Sequence, residues 1–183
     1  MLKLGIIGTG AISHHFIEAA HASQEFQLVA VYSRKLTTAH QFASSYTDVS
    51  LFDNLEDFFQ SEFDVVYIAS PNSLHYTQAK LALASDKHVI LEKPAVTQPQ
   101  EWQDLVEIAQ ENQCFIFEAA RNYHEEAFTI IKNFLADKQI LGADFNYAKY
   151  SSKMPALLSG NTPNVFSDRF AGGALMDLGI YPI

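Results

Sequence analysis

Two glycines, Gly8 and Gly10, stand in the run Gly8-Thr9-Gly10-Ala11-Ile12-Ser13, between an apolar stretch and a helical pattern. A tight turn at the first glycine and close backbone approach at the second let a pyrophosphate rest against the N–H groups of a helix N-terminus. Ser13 occupies the place of a third glycine, and its small side chain still lets helix and strand pack closely. Glycines in an ordinary strand-to-helix turn are the plain alternative; the alternating pattern around them favours dinucleotide binding. At the end of the next apolar run, ~20 residues on, an NAD site carries an Asp or Glu for the ribose 2′-OH. This chain has Tyr32-Ser33-Arg34-Lys35 and no carboxylate. A hydroxyl and two cations suit a 2′-phosphate, which arginine grips with paired hydrogen bonds, so NADP is expected in preference to NAD. The alternative is a solvated basic turn. Two further stretches, Ser70-Pro71-Asn72-Ser73-Leu74-His75 and Glu92-Lys93-Pro94, follow apolar runs. They fall beyond strand ends, where doubly wound sheets bind ligands. A cation such as Lys93 beside a reacting oxygen stabilises developing negative charge and lowers the pKa of a neighbouring hydroxyl. A surface Glu92–Lys93 ion pair is the competing reading.

The elements that must position these groups follow from the apolar pattern. Strands are expected at 2–7, 28–32, 65–69, 88–91 and 114–118, with a short one at 49–52 before Asn54 caps a helix. Helices are expected at 11–22, 36–46, 55–60, 74–85 and 99–113, the last with Pro99 in its first turn. The strand segments are continuously apolar, as in a parallel sheet covered on both faces. Strand–helix alternation with short connections gives an α/β, doubly wound parallel sheet. After Glu118 the rhythm changes: a helix at 125–135, a half-exposed strand at 143–153, an irregular connection, then 171–183. The domain boundary is set near Ala119. Residues 1–118 form the nucleotide-binding domain; 119–183 are the beginning of an α/β substrate domain, incomplete in this chain, which reads as the first part of a longer polypeptide.

Composition narrows the classes. The chain has 183 residues, 48% hydrophobic and 18% charged, which fits a core-forming protein. Against 21 Asp and Glu stand 12 Lys and Arg, a net charge of −9 that repels nucleic acid and anionic membranes. No eighteen-residue apolar run or signal peptide is evident. Cys114 is a lone cysteine, which suits a reducing, cytoplasmic setting. His14, His15 and His21 lack spaced ligand partners, and His124-Glu125-Glu126 lacks a second histidine because Phe128 stands there, so no metal is expected.

With Gly172-Gly173-Ala174-Leu175-Met176-Asp177-Leu178-Gly179-Ile180-Tyr181 added, the ordered motifs resemble the Gfo/Idh/MocA oxidoreductases, from Met1 to Ile183. That family includes glucose–fructose oxidoreductase, inositol dehydrogenase and dihydrodiol dehydrogenase. The resemblance implies a Rossmann-type domain, an α/β C-terminal domain and a homo-oligomer when full length. By this resemblance Gly8, Thr9, Gly10, Ala11 and Ile12 line the pyrophosphate, and Ser33, Arg34 and Lys35 the ribose phosphate. Ser70, Pro71, Asn72 and His75 pack near the nicotinamide ribose, and Glu92 and Lys93 reach nicotinamide and substrate. By the same resemblance Lys93 is the catalytic lysine. Many members end the late motif in histidine; here Tyr181 stands there, as in the glucose–fructose oxidoreductase and dihydrodiol dehydrogenase branches. A tyrosine serves as acid/base only if its pKa of ~10 is pulled down, and a lysine is the means. If the segment is helical, Asp177 shares a face with Tyr181, although Pro182 kinks such a helix. A buried structural tyrosine is the alternative.

Three functional readings follow. The first is an NADP-preferring, or NAD-using, dehydrogenase acting on a carbohydrate, polyol or related small molecule. The second is a cofactor-sensing regulatory protein without turnover, against which the presence of Lys93 and Tyr181 counts. The third is an NAD-dependent glycosidase, a chemistry found among relatives.

Overall fold

The computed structural model describes residues 1–182. They fall into two compact units, Met1–Glu118 and a second from Ala119 onward. The first is built on six strands: β1 (Leu2–Ile7), β2 (Phe26–Tyr32), β3 (Ser50–Phe52), β4 (Val65–Ile68), β5 (His88–Leu91) and β6 (Ile116–Glu118). They lie in the order β3-β2-β1-β4-β5-β6, and every pairing is parallel. Between them run α1 (Ala11–Ala22), α2 (Leu36–Ala43), α3 (Leu55–Gln60), α4 (His75–Ala84) and α5 (Pro99–Glu111). β1 and β4 are neighbours although three helices and two strands separate them in sequence, so the winding reverses between them.

Successive strand residues point to opposite faces. All four residues of β4 are buried, as are the last four of β1, so both faces of the central sheet are covered. One side is filled by phenylalanines. Phe58, Phe59 and Phe63 are buried, and a Cβ on Gly5 would sit 2.9 Å from the Phe58 ring. The glycine in β1 thus makes room for the aromatic wedge carried by α3. That helix is held in place at its start by Asn54, whose Oδ1 accepts from the Glu56 and Asp57 N–H groups at 2.7 and 3.1 Å. At α5, Glu101 reaches back to accept from the N–H groups of Thr97 and Gln98. Cys114 packs half-buried against the same core.

Element ends depart modestly from the sequence pattern: α2 stops at Ala43, β6 starts at Ile116, and a 3-10 turn, Asn72–Leu74, precedes α4. The second unit departs more. It contains α6 (Glu126–Leu135), α7 (Met154–Leu158), α8 (Ala174–Leu178) and short 3-10 turns. The strand expected at 143–153 does not form among the described residues. Phe145 and Tyr150 are 70% and 74% exposed, and no neighbouring strand of this unit takes up the backbone hydrogen bonds that a strand needs. Alternation alone was insufficient.

Phe58 is completely buried at the centre of the aromatic group. Phe58→Ala is expected to cost ~3–5 kcal/mol, read from denaturant unfolding. A loss below ~1 kcal/mol would mean that the core closes without the ring.

Candidate active site

The turn after β1 is set by contact with the turn after β4. Gly8 has φ +107°, and a Cβ there would lie 2.4 Å from the Ala69 carbonyl oxygen. Only glycine accepts both conditions. The Ala69 N–H donates to the Ile7 carbonyl at 2.8 Å and carries the β1–β4 pairing into the turns. Ser13 is fully buried and its hydroxyl donates to the Gly8 carbonyl at 2.7 Å, lacing the first turn of α1 back to the strand end. Thr9 and Gly10 lie between these anchors. At α1 the N-cap is Gly10, with no side-chain cap and no acidic residue in the first turn. A Cβ on Gly10 would meet nothing within 4 Å. The positive end of α1, with Ala11 and Ile12 exposed in its first turn, therefore faces open space, which fits a diphosphate.

At the end of β2 the Ser33 N–H donates to the Phe52 carbonyl at 3.0 Å, fixing that turn to β3. Arg34 and Lys35 are exposed, with Lys35 at the N-cap of α2. Neither enters an ion pair among the described residues. Two solvated cations at a helix N-terminus suit a phosphate monoester.

Beneath the turns after β4 and β5 lies a buried polar cluster. Tyr67, in the middle of β4, is 1% exposed; its hydroxyl donates to Glu92 Oε1 at 2.6 Å, and its ring stacks on Phe16 of α1 at 3.8 Å. Burial and the Glu92 carboxylate push the Tyr67 phenol far above its ordinary value, so it stays a donor. Glu92 Oε2 accepts the Lys93 N–H at 3.1 Å, and the Glu92 N–H donates to the Ile68 carbonyl at 2.9 Å. His75, also 1% exposed, has Nε2 2.8 Å from the Ser70 carbonyl oxygen and Nδ1 2.9 Å from that of Pro94. Burial pushes the imidazole below its ordinary pKa, while the carbonyls and Glu92 pull it back up. The Ser70 hydroxyl donates to Gln78 Oε1 at 2.6 Å.

The geometry thus brings together Gly8, Thr9, Gly10, Ser70, Pro71, Asn72, Glu92 and Lys93 at the carboxyl ends of β1, β4 and β5. His75 differs from expectation. It is sealed beneath the two turns, with a backbone carbonyl oxygen within hydrogen-bond distance of each ring nitrogen, to one of which the neutral ring donates its single N–H. Sequence pattern missed the roles of Ser13, Tyr67 and Gln78. A phenol in an otherwise aliphatic strand is the signal that marked Tyr67, since a buried tyrosine seeks a partner.

In the second unit, Asp177 lies in α8, but Tyr181 lies beyond it. The helix stops at Leu178, so the shared helical face does not form; the residue before a proline disfavours helical geometry, and Pro182 follows Tyr181. The Tyr181 ring stacks on Tyr147 with centroids 4.7 Å apart, and its N–H donates to the Leu178 carbonyl at 3.1 Å. Asn122 Nδ2 donates to the Ile180 carbonyl at 3.2 Å, while its Oδ1 is buried with no partner among the described residues. Asp177 also borders a cavity of ≈ 530 Å³ with Lys149, Lys153, Met154 and Phe166.

Among the described residues no three His, Cys, Asp or Glu side chains gather as a metal set, and no helix is long and apolar enough to cross a membrane. A parallel sheet in this strand order, with a glycine turn feeding an uncapped helix at the reversal point, defines a Rossmann-type nucleotide-binding domain. Consistent with this, the profile of the Gfo/Idh/MocA oxidoreductase family, NAD-binding Rossmann fold, matches residues 2–120. The chain belongs to that family. It is 39% identical over 183 residues to the uncharacterized oxidoreductase YgjR of Escherichia coli, covering 99% of this chain and 56% of the relative. It is 36% identical over 185 residues to the scyllo-inositol 2-dehydrogenase (NADP(+)) IolU of Bacillus subtilis, covering 100% and 56%. An NAD-binding protein of Listeria innocua shares the fold, with a TM-score of 0.76 and 21% identity over 97% of this chain and 51% of that one. The chain spans about half the length of the curated relatives it matches.

Gly8→Ala tests the turn. Strain at positive φ and collision with Ala69 are expected to destabilise the protein by at least ~1–3 kcal/mol. Thermal melting should also show a smaller upward shift with a nicotinamide dinucleotide than is expected for the parent; a variant that melts and binds as the parent does would refute this account of the turn.

Proposed function

We propose that the full-length protein is a dehydrogenase or reductase that prefers NADP to NAD and acts on an alcohol/carbonyl pair of a polyol, sugar or related small molecule. The observation that carries the reading is that the Glu92-Lys93 turn at the end of β5 and the Gly8–Gly10 turn at the sheet's reversal point lie at the same edge of the sheet, with only the turn after β4 between them. The cofactor preference is supported by Ser33, Arg34 and Lys35 where an NAD site has a carboxylate, and by a relative named for NADP(+). That same relative's polyol substrate supports the substrate class.

In this reading the N-terminus of α1 holds the diphosphate, and Ser33, Arg34 and Lys35 hold the 2′-phosphate. A bound nicotinamide supplies the hydride acceptor in one direction and the donor in the other. Lys93 holds the substrate oxygen and stabilises negative charge as it develops. Tyr181 takes the hydroxyl proton during oxidation and returns it during reduction, and Asp177 helps hold the substrate. A polyol-oxidation assay of the full-length protein with NADP and NAD, over a panel of inositols, sugars and diols, tests the whole reading.

Two variants sharpen it. Arg34→Ala is expected to weaken NADP binding by ~1.5–3 kcal/mol while leaving NAD nearly unchanged, by calorimetry. Equal parental affinities for the two cofactors would contradict the preference. Tyr181→Phe is expected to cut turnover ~10²–10⁴-fold with cofactor affinity preserved. Near-parental turnover in Tyr181→Phe would make the tyrosine structural and assign the proton to another group.

A further inference from the structure

We infer that Tyr67 and His75 are positioning residues that fix the turn carrying Lys93 from both of its flanks. The inference rests on the reading of Lys93 as the residue that meets substrate.

On the N-terminal flank, Tyr67 Oη donates to Glu92 Oε1 at 2.6 Å, and the other oxygen of the same carboxylate accepts the Lys93 N–H at 3.1 Å. One carboxylate therefore joins the buried middle of β4 to the backbone of the lysine itself. On the C-terminal flank, His75 Nδ1 lies 2.9 Å from the carbonyl oxygen of Pro94, the residue immediately after the lysine. Its Nε2 lies 2.8 Å from the Ser70 carbonyl oxygen, so the same ring binds the turn after β4 to the turn after β5. One residue further on, the Ala95 N–H is held by Glu118 Oε1 at 2.8 Å, at the end of β6.

Both braces are rigid at their own bases. Tyr67 lies in a fully buried strand, its ring stacked at 3° to Phe16, and His75 is the first residue of α4. Neither is accessible to substrate, since each is 1% exposed. Their chemistry suits a support. The phenol stays protonated, and the imidazole meets only backbone acceptors. A lysine on a long flexible stem gains precision only if its backbone is held, and a misplacement of ~1 Å at a reacting centre costs ~10²-fold in rate.

The test uses three variants of the full-length protein, measured well below their melting temperatures. Tyr67→Phe keeps the ring and its stacking and removes one hydroxyl. It is expected to lower kcat ~10–100-fold, leave the NADP dissociation constant within about twofold, and raise the primary isotope effect with a carbon-deuterated alcohol, because chemistry becomes slower than release. His75→Gln, which keeps one donor for the carbonyls, should lower kcat less than His75→Ala and provides the same readouts if Tyr67→Phe does not fold. Parental kcat and isotope effect in folded Tyr67→Phe or His75→Ala, with only a lower melting temperature, would reduce the pair to structural residues and overturn the inference. Lys93→Met separates this from the underlying reading: parental turnover there removes the catalytic role of Lys93 itself, whatever the two braces do.

Discussion

The contact between Gly8 and the Ala69 carbonyl is the constraint on which the nucleotide-binding unit depends. Two parallel strands remote in sequence must end side by side, and their turns must diverge without colliding. A glycine at positive φ lets the first turn pass the second at a distance no side chain tolerates. Several features follow from that passage. α1 starts where its positive end faces open space, β4 and β1 continue pairing through Ala69, and the turns after β4 and β5 gather around the same point. Packing serves the same geometry: Gly5 leaves room for Phe58, and both faces of β1 and β4 are sealed.

Sealing has an electrostatic side. Tyr67 in β4 and His75 and Gln78 in α4 are polar groups taken out of water beneath the turns, where burial costs several kcal/mol for a group left without a partner. Each has one here: Tyr67 on Glu92, His75 on two carbonyls, Gln78 on Ser70. Because the partners sit in different turns, satisfying these groups and joining the turns are the same event. His75 illustrates the tension: desolvation favours the neutral ring, whereas two facing carbonyl oxygens favour a proton on each nitrogen.

The first unit was legible in the sequence because its central strands are buried on both faces and several of its turns carry glycine, proline and asparagine where backbone geometry demands them. Residues 2–7, 11–22 and 55–60 were read with their observed limits, and Asn54 was read as the cap it is. The second unit was less legible. Residues 143–153 alternate as a strand does, but alternation records only which side a residue prefers, and a strand also needs a neighbour in register. At the candidate site, Gly8 was marked by the turn chemistry it needs, whereas the Lys93 turn was read from its place after an apolar run and from the family resemblance. The brace formed by Tyr67, Glu92 and His75 spans 25 residues between the phenol and the carboxylate, and a hydrogen bond at that separation leaves no local periodicity. His75 was noticed for its motif, yet its burial depends on Pro94, nineteen residues away.

Ser13 fastens the glycine turn to its helix through a bond of 2.7 Å, made within the protein and without any ligand. A turn already closed in this way has little conformational entropy left to lose when a dinucleotide arrives. Such a turn suits docking onto a finished surface more than the folding of a loop around its guest. On the proposed reading, discrimination between NADP and NAD then falls outside the fastened turn, to the exposed Arg34 and Lys35 at the start of α2, because the diphosphate is common to both.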